Sequence, residues 1–244
     1  MKKIIMFVIF SILSIGVTSA YGELFWAKTY GGSESDFAYS IQKTNDTGFI
    51  VAGHTYTFGA GSSDYWILKL DTNGVVEWQK TYGESSADYA GFIQQTNDGG
   101  YVVAGENWSY FDCWVLKLDS SGTVEWQKVY GGSEQDRVNC IQQTTDGGYI
   151  VCGFTSSYGA GNADYWVLKL DSSGNIEWQK AYGRSDSDYA RSIQQTSDGG
   201  YIVAGFIDAY GAGSPDYWVL KLDSSGNIEW QKTYGGSEHD YAKS

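Results

Sequence analysis

Residues 192–232 read SIQQTSDGGYIVAGFIDAYGAGSPDYWVLKLDSSGNIEWQK, and the way this stretch divides decides the fold. Residues 192–196 make a short first strand. Ser197-Asp198-Gly199-Gly200 is a turn, because Asp-Gly is a favoured pair for a tight hairpin loop. Residues 201–205, rich in Ile and Val, read as a second strand. A longer Gly-rich loop leads to a third strand over 217–222. A second tight turn at Asp223-Ser224-Ser225-Gly226 leads to a fourth over 228–234. No stretch sustains a helical period, and the recurring glycine pairs would weaken any helix.

The same unit is written four times. Trp-x-Lys-x-Tyr-Gly recurs at Trp26, Trp78, Trp126, Trp178 and Trp230, at spacings of 52, 48, 52 and 52 residues. The short second repeat lacks four residues between Gly105 and Asp112, in the segment that elsewhere reads Tyr-Gly-Ala-Gly. A deletion tolerated there marks a surface loop. A four-stranded antiparallel meander repeating at about 50 residues is the signature of a β-propeller blade. In residues 65–70, Trp66, Leu68 and Leu70 share one face, while Tyr65, Ile67 and the Lys69 stem share the other. A strand apolar on both faces suits a sheet sandwiched between two neighbours. Nine of the ten tryptophans occupy two repeat positions, five in strand four and four in strand three, and are expected to be core. Trp108, in the shortened loop, is the exception.

The expected architecture is therefore all-β: a β-propeller of four-stranded antiparallel blades over 21–244, with four full repeats and partial flanking strands. Residues 24–30 read as strand four of a blade otherwise absent, and the last repeat stops as it begins. The chain is accordingly expected to be a fragment of a larger propeller; a four-bladed ring with one redundant strand is the alternative.

The residues WQKTYGGSE…DYA…SIQQT.DGGYIVAG…SYGAG..DYWVLKLDSSGNIEWQKTYGG resemble a repeat family of exported bacterial and archaeal β-propeller proteins, across essentially all of 24–244. The resemblance implies a propeller fold and surface or secreted placement, often within a larger multidomain protein. It implies no particular ligand.

Residues 1–20, MKKIIMFVIFSILSIGVTSA, place Lys2 and Lys3 before an apolar run and end on Thr18-Ser19-Ala20. This is the pattern of a secretory signal peptide, so the chain is expected to be secreted or held at the cell surface, with no membrane span after cleavage. The whole chain carries a net charge of -13; removing 1–20 takes two lysines and no acid, leaving -15. That balance opposes nucleic-acid binding, which needs a basic face. Three cysteines are too few for a disulfide framework. Cys140 is expected to lie opposite Gly153, with Cys152 turned to the other face and the thiols unlinked.

In a meander, the strand 2–3 loops and the links between blades collect at one end. That end gathers Asp36, Asp88, Asp136 and Asp188 near Asp64, Asp112, Asp164 and Asp216, with Asp240 beginning the next set. Carboxylates suit Ca²⁺ or a basic partner. Their repetition in every blade favours a plainer role, each aspartate capping its own loop through backbone N–H groups. Trp108 and Phe111, in the short loop, are the one non-repeating aromatic pair at this end. No nucleophile or zinc motif is present, and His54 sits at a variable position. The leading expectation is a non-catalytic module without an organic cofactor, binding a protein or glycan at the cell surface. A structural spacer of a larger surface protein and a propeller enzyme (a hydrolase or quinone-dependent oxidoreductase) are the alternatives.

Overall fold

The computed structural model of the chain describes residues 26–109, 111–207 and 216–235. The expected signal peptide, Asp240 and the final repeat start lie outside the described residues. Four antiparallel four-stranded sheets follow one another, with no helix among those residues. Blade 1 comprises β1 (Asp36–Lys43), β2 (Phe49–Thr55), β3 (Asp64–Leu70) and β4 (Val76–Tyr82). Blade 2 comprises β5 (Asp88–Gln95), β6 (Tyr101–Asn107), β7 (Asp112–Leu118) and β8 (Val124–Tyr130). Blade 3 comprises β9 (Asp136–Gln143), β10 (Tyr149–Thr155), β11 (Asp164–Leu170) and β12 (Ile176–Tyr182). Blade 4 comprises β13 (Asp188–Gln195), β14 (Tyr201–Ile207), β15 (Asp216–Leu222) and β16 (Ile228–Tyr234).

Strand order in every blade is that of a simple meander. First strands of successive blades contact one another, so they form the narrow side of each wedge. The first strands start four residues earlier than the alternation suggests, because each contains a β-bulge. The ladder slips at Tyr39, Gly91, Asn139 and Arg191. The facing glycine is obligatory there: a Cβ on Gly53 or Gly153 would fall 1.8 Å from the Phe37 or Arg137 carbonyl oxygen. A bulge bends the strand and breaks the period of two by which a strand is recognised.

Separate apolar clusters fill the spaces between blades. Ile50, Ala52, Tyr65 and Ile67 of blade 1 pack on Ala90, Ile93, Trp114 and Leu116 of blade 2, and the arrangement recurs at the next two junctions. The strand-three tryptophans Trp66, Trp114, Trp166 and Trp218 are buried as expected. The strand-four tryptophans are not core. Trp26, Trp78, Trp126 and Trp178 are half-buried, and each ring packs on the glycine of the next blade's 3–4 turn (Gly74, Gly122, Gly174, Gly226). Indole N–H groups of Trp26, Trp126 and Trp178 donate to turn carbonyls at 3.0–3.1 Å. Tyr30, Tyr82, Tyr130 and Tyr182 donate to the carbonyls of those same glycines at 2.5–2.7 Å. Residues 26–30 thus grip blade 1 as each fourth strand grips the following blade.

The end of each blade away from the long loops is held by a lysine. Lys69 Nζ lies 2.7 Å from Asp46 and 2.6 Å from Glu77. Lys117, Lys169 and Lys221 repeat this with Asp98/Glu125, Asp146/Glu177 and Asp198/Glu229 at 2.7–3.0 Å. Each lysine also donates to the backbone carbonyl of the following leucine.

Candidate functional site

The aspartates gather in pairs at the blade junctions. Asp88 feels the charge of Asp64, and Asp112 that of Asp136. A Cβ on Gly183 would meet both Asp164 and Asp188. In each case strand three of one blade meets strand one of the next. The outer carboxylate oxygens bind loop amides. Asp64 Oδ2 accepts from the Ala60 and Gly61 N–H groups at 3.0 and 3.1 Å, and Asp164 Oδ2 from Ala160 and Gly161 at 3.0 Å. Asp36, Asp88, Asp136 and Asp188 accept from the N–H groups of Gly32, Glu84, Gly132 and Arg184 at 2.7–3.1 Å. These oxygens are loop caps, and an amide proton aimed at a carboxylate oxygen occupies the side a cation would take.

Asp112 departs from this pattern. Its loop is the short one, and among the described residues no loop amide caps it as Ala60 and Gly61 cap Asp64. Its buried Oδ1 has no partner among the described residues, a feature it shares with Asp88, Asp136 and Asp164. Burial, then the neighbouring Asp136 charge, pushes its carboxyl up to about 6. Asp88, buried beside Asp64, also rises to about 6, burial being the larger cause. Asp216, beside the undescribed residues 208–215, likewise keeps a buried Oδ1 without a described partner.

The narrow side of the blades carries a different constellation. At the bulge the backbone presents a residue unlike its counterparts: Tyr39, Gly91, Asn139 and Arg191. The strand-two position beside it also varies, with His54, Glu106, Phe154 and Phe206. The fold brings these two variable positions together. A cavity of about 480 Å³ opens between blades 1, 2 and 3, lined by Tyr39, His54, Tyr89, Glu106, Trp108 and Asn139, with Gly91 among its walls. It owes its space to Gly91, where a Cβ would meet nothing nearer than a carbonyl oxygen at 3.9 Å.

His54 is only 4 % exposed, and its buried Nδ1 has no partner among the described residues. Four aromatic rings enclose it. Phe37 and Tyr39 stack on it at 4.8 and 5.4 Å between centroids, and Tyr56 and Tyr89 meet it edge-on at 5.5 and 4.3 Å. Burial holds its pKa down to about 4, outweighing the nearby Asp36 charge, so the imidazole is neutral at physiological pH. Glu106 pairs with Arg137 at 3.3 Å, and burial raises its pKa. Trp108 and Phe111, singled out by the short loop, are 42 % and 48 % exposed and lie 5.7 Å apart. Trp108 also meets Tyr89 edge-on at 5.3 Å.

The structure therefore joins Trp108 to the cavity and leaves the aspartates in the junctions behind the loops. The contributions of Tyr39, His54, Glu106 and Asn139 escape a reading that seeks repeated residues. Their signal is variation at fixed repeat positions. Among the described residues no three metal-ligating side chains converge, and no helix is long and apolar enough to cross a membrane.

No protein-family pattern matches the chain, and no curated protein matches its sequence. Among solved structures, it is similar to a protein of unknown function from Bacteroides caccae. The TM-score is 0.52 at 13 % identity, over 86 % of this chain and 70 % of that one. That likeness concerns the fold alone. A eukaryotic initiation factor overlaps at a TM-score of 0.37 and 7 % identity, over 81 % of this chain and 55 % of that one, which is too low to carry an argument.

Proposed function

We propose that this chain is an exported β-propeller repeat protein, a non-catalytic module that binds a glycan at the cell surface. The observation that carries the reading is a cavity on the narrow side of otherwise near-identical blades, lined by residues that do not repeat from blade to blade. A repeat protein builds specificity where its repeats differ, because residues common to every blade serve the packing. The cavity joins exposed aromatic faces to a few convergent polar groups, the usual composition of a small-molecule site. A sugar ring matches both halves. Its C–H face lies against Trp108 or Tyr89, and its hydroxyls reach the Glu106 carboxylate and the Asn139 amide oxygen, the Asn139 Nδ2 already donating to the Ala190 carbonyl at 2.7 Å. Wedge-shaped sheets stacked through shared apolar faces support a propeller, and the sequence of residues 1–20 supports export.

A glycan array probed with residues 21–244 tests this directly. We expect retention of a chemically related set of glycans, lost at least tenfold in Trp108→Ala. Retention of none would return the chain to the spacer reading.

A further inference from the structure

The third blade holds a feature unrelated to the cavity. Cys140 on β9 and Cys152 on β10 are direct partners in the ladder. The expected register, Cys140 against Gly153, follows from a two-residue turn at Asp146-Gly147; the hairpin instead closes Thr144 on Gly148 around three residues, which moves the pairing by one place, and the bulge at Asn139 shifts only the residues on the far side of Cys140. Both thiols are free, and Cys113 lies elsewhere in blade 2. Two of the chain's three cysteines thus face each other across one rung. The equivalent rungs hold Ser40 and Ala52, Phe92 and Ala104, and Ser192 and Ala204.

We propose that Cys140 and Cys152 form a dithiol site that closes to a cross-strand disulfide when a small disulfide is offered. Opposed residues in an antiparallel ladder have Cα atoms about 4.5–5.5 Å apart, inside the about 4.4–6.8 Å range that a disulfide spans. Bond formation therefore asks for no movement of either strand. The two thiols also have separable roles. Cys152 is fully buried, whereas Cys140 is partly exposed on the narrow side. A hydrogen bond from the Cys152 thiol, the largest influence, holds Cys140 down to about 7, and burial pushes Cys152 well up. Cys140 is the thiol that reaches reagent as a thiolate, the attacking form.

The chemistry balances in two exchanges. The Cys140 thiolate attacks one sulfur of the reagent, whose S–S bond breaks to release one thiolate, which takes up a proton. The mixed disulfide is then attacked by the Cys152 sulfur, its proton passing to solvent, and the second reagent thiol leaves. Two protein thiols are oxidised and one reagent disulfide is reduced to two thiols.

The test treats the native full chain with bis(2-hydroxyethyl) disulfide, then denatures it in alkylating reagent and maps peptides by mass spectrometry. We expect a protein lighter by two hydrogens, with the Cys140 and Cys152 peptides joined and Cys113 alkylated. Cys152→Ala, which restores the alanine of the other three blades, should instead accumulate a stable reagent adduct on Cys140. Three alkylated thiols in the treated wild type would overturn the proposal. So would a persistent adduct on wild-type Cys140 with Cys152 still reduced.

Discussion

At the scale of single residues, Asp112 shows what a deleted loop leaves behind. Its counterparts Asp64 and Asp164 each receive two loop amides; Asp112 receives none from the described residues and lies buried near the Asp136 charge. A carboxyl raised to about 6 is held above its unfolded value. Its protonated form therefore favours the folded state, and that contribution, present at low pH, is lost as pH rises through 6. Asp112→Asn removes the charge and supplies an amide that can donate to Asp136. At pH 7.5 it should stabilise the fold by about 1–2 kcal/mol. The gain should shrink towards zero by pH 4.5, as paired thermal melts of mutant and wild type would show. A gain of equal size at both pH values would mean that the charge is not its source. His54 is the converse case. With its pKa near 4, it stays neutral above pH 5, so the unfolding free energy of His54→Phe relative to wild type should not vary between pH 5.5 and 8.

At the scale of the element, the blade is a meander whose far end is held by one buried cation. In blade 3, Lys169 is enclosed while Asp146 and Glu177 remain about half exposed. Partial burial alone would raise the Asp146 pKa; the Thr144 hydroxyl, Lys169 and the Gly148 amide overcome this and bring it to about 2. Replacing Lys169 with Met keeps the buried stem and removes the charge. Because both carboxylates can rehydrate, we expect a loss of about 1–3 kcal/mol, below that of a fully buried pair, measured by urea unfolding at pH 7. The Asp146 carboxyl should then titrate nearer its ordinary value by NMR. Stability that is present above about pH 4 and lost on acidification towards 2 should accordingly weaken in this variant.

Much of the element was legible beforehand. The turns at Asp198-Gly199 and Asp223–Gly226 and the strand at Ile228–Tyr234 fall where the residues put them. The early start of the first strands was not legible, because the bulge at Arg191 and its equivalents interrupts the alternation. The lysine clamp is hidden in the sequence for another reason. Lys169 and Glu177 are eight residues apart, and only the completed hairpin brings them within reach. The cavity was harder still: Trp108 stood out by breaking the repeat, whereas Tyr39, His54 and Asn139 differ quietly at positions whose convergence depends on the bulge.

At the scale of the whole molecule, stability comes from identical handshakes between neighbouring blades, as in other repeat architectures. Strand-four aromatics grip the next turn. Glutamines join the narrow side, with Gln42, Gln94 and Gln142 accepting from the backbone N–H groups of Gln95, Gln143 and Gln195 at 2.6–3.0 Å. One handshake is defective. Tyr65 and Tyr165 donate to the backbone carbonyls of Trp114 and Trp218 in the following blade at 3.1 and 3.0 Å. Blade 2 has Cys113 at that position, so the Trp166 carbonyl lacks this bond. Gly153 retains the small residue that the tyrosine hydroxyls approach at Gly105 and Gly205. Cys113→Tyr should therefore raise stability by about 1–2 kcal/mol, from restored burial and one hydrogen bond. A lower melting temperature would show that the junction has closed around the smaller side chain.

On the function proposed above, binding resides where the repeats differ, in the space left open by Gly91. Its test is a calorimetric titration of an array-selected oligosaccharide into the wild type and into Gly91→Tyr, which places at the blade 2 bulge the residue blade 1 carries there. We expect one saturable site per wild-type chain and no measurable binding to the variant, at an unchanged melting temperature. Equal affinity in both proteins would contradict it.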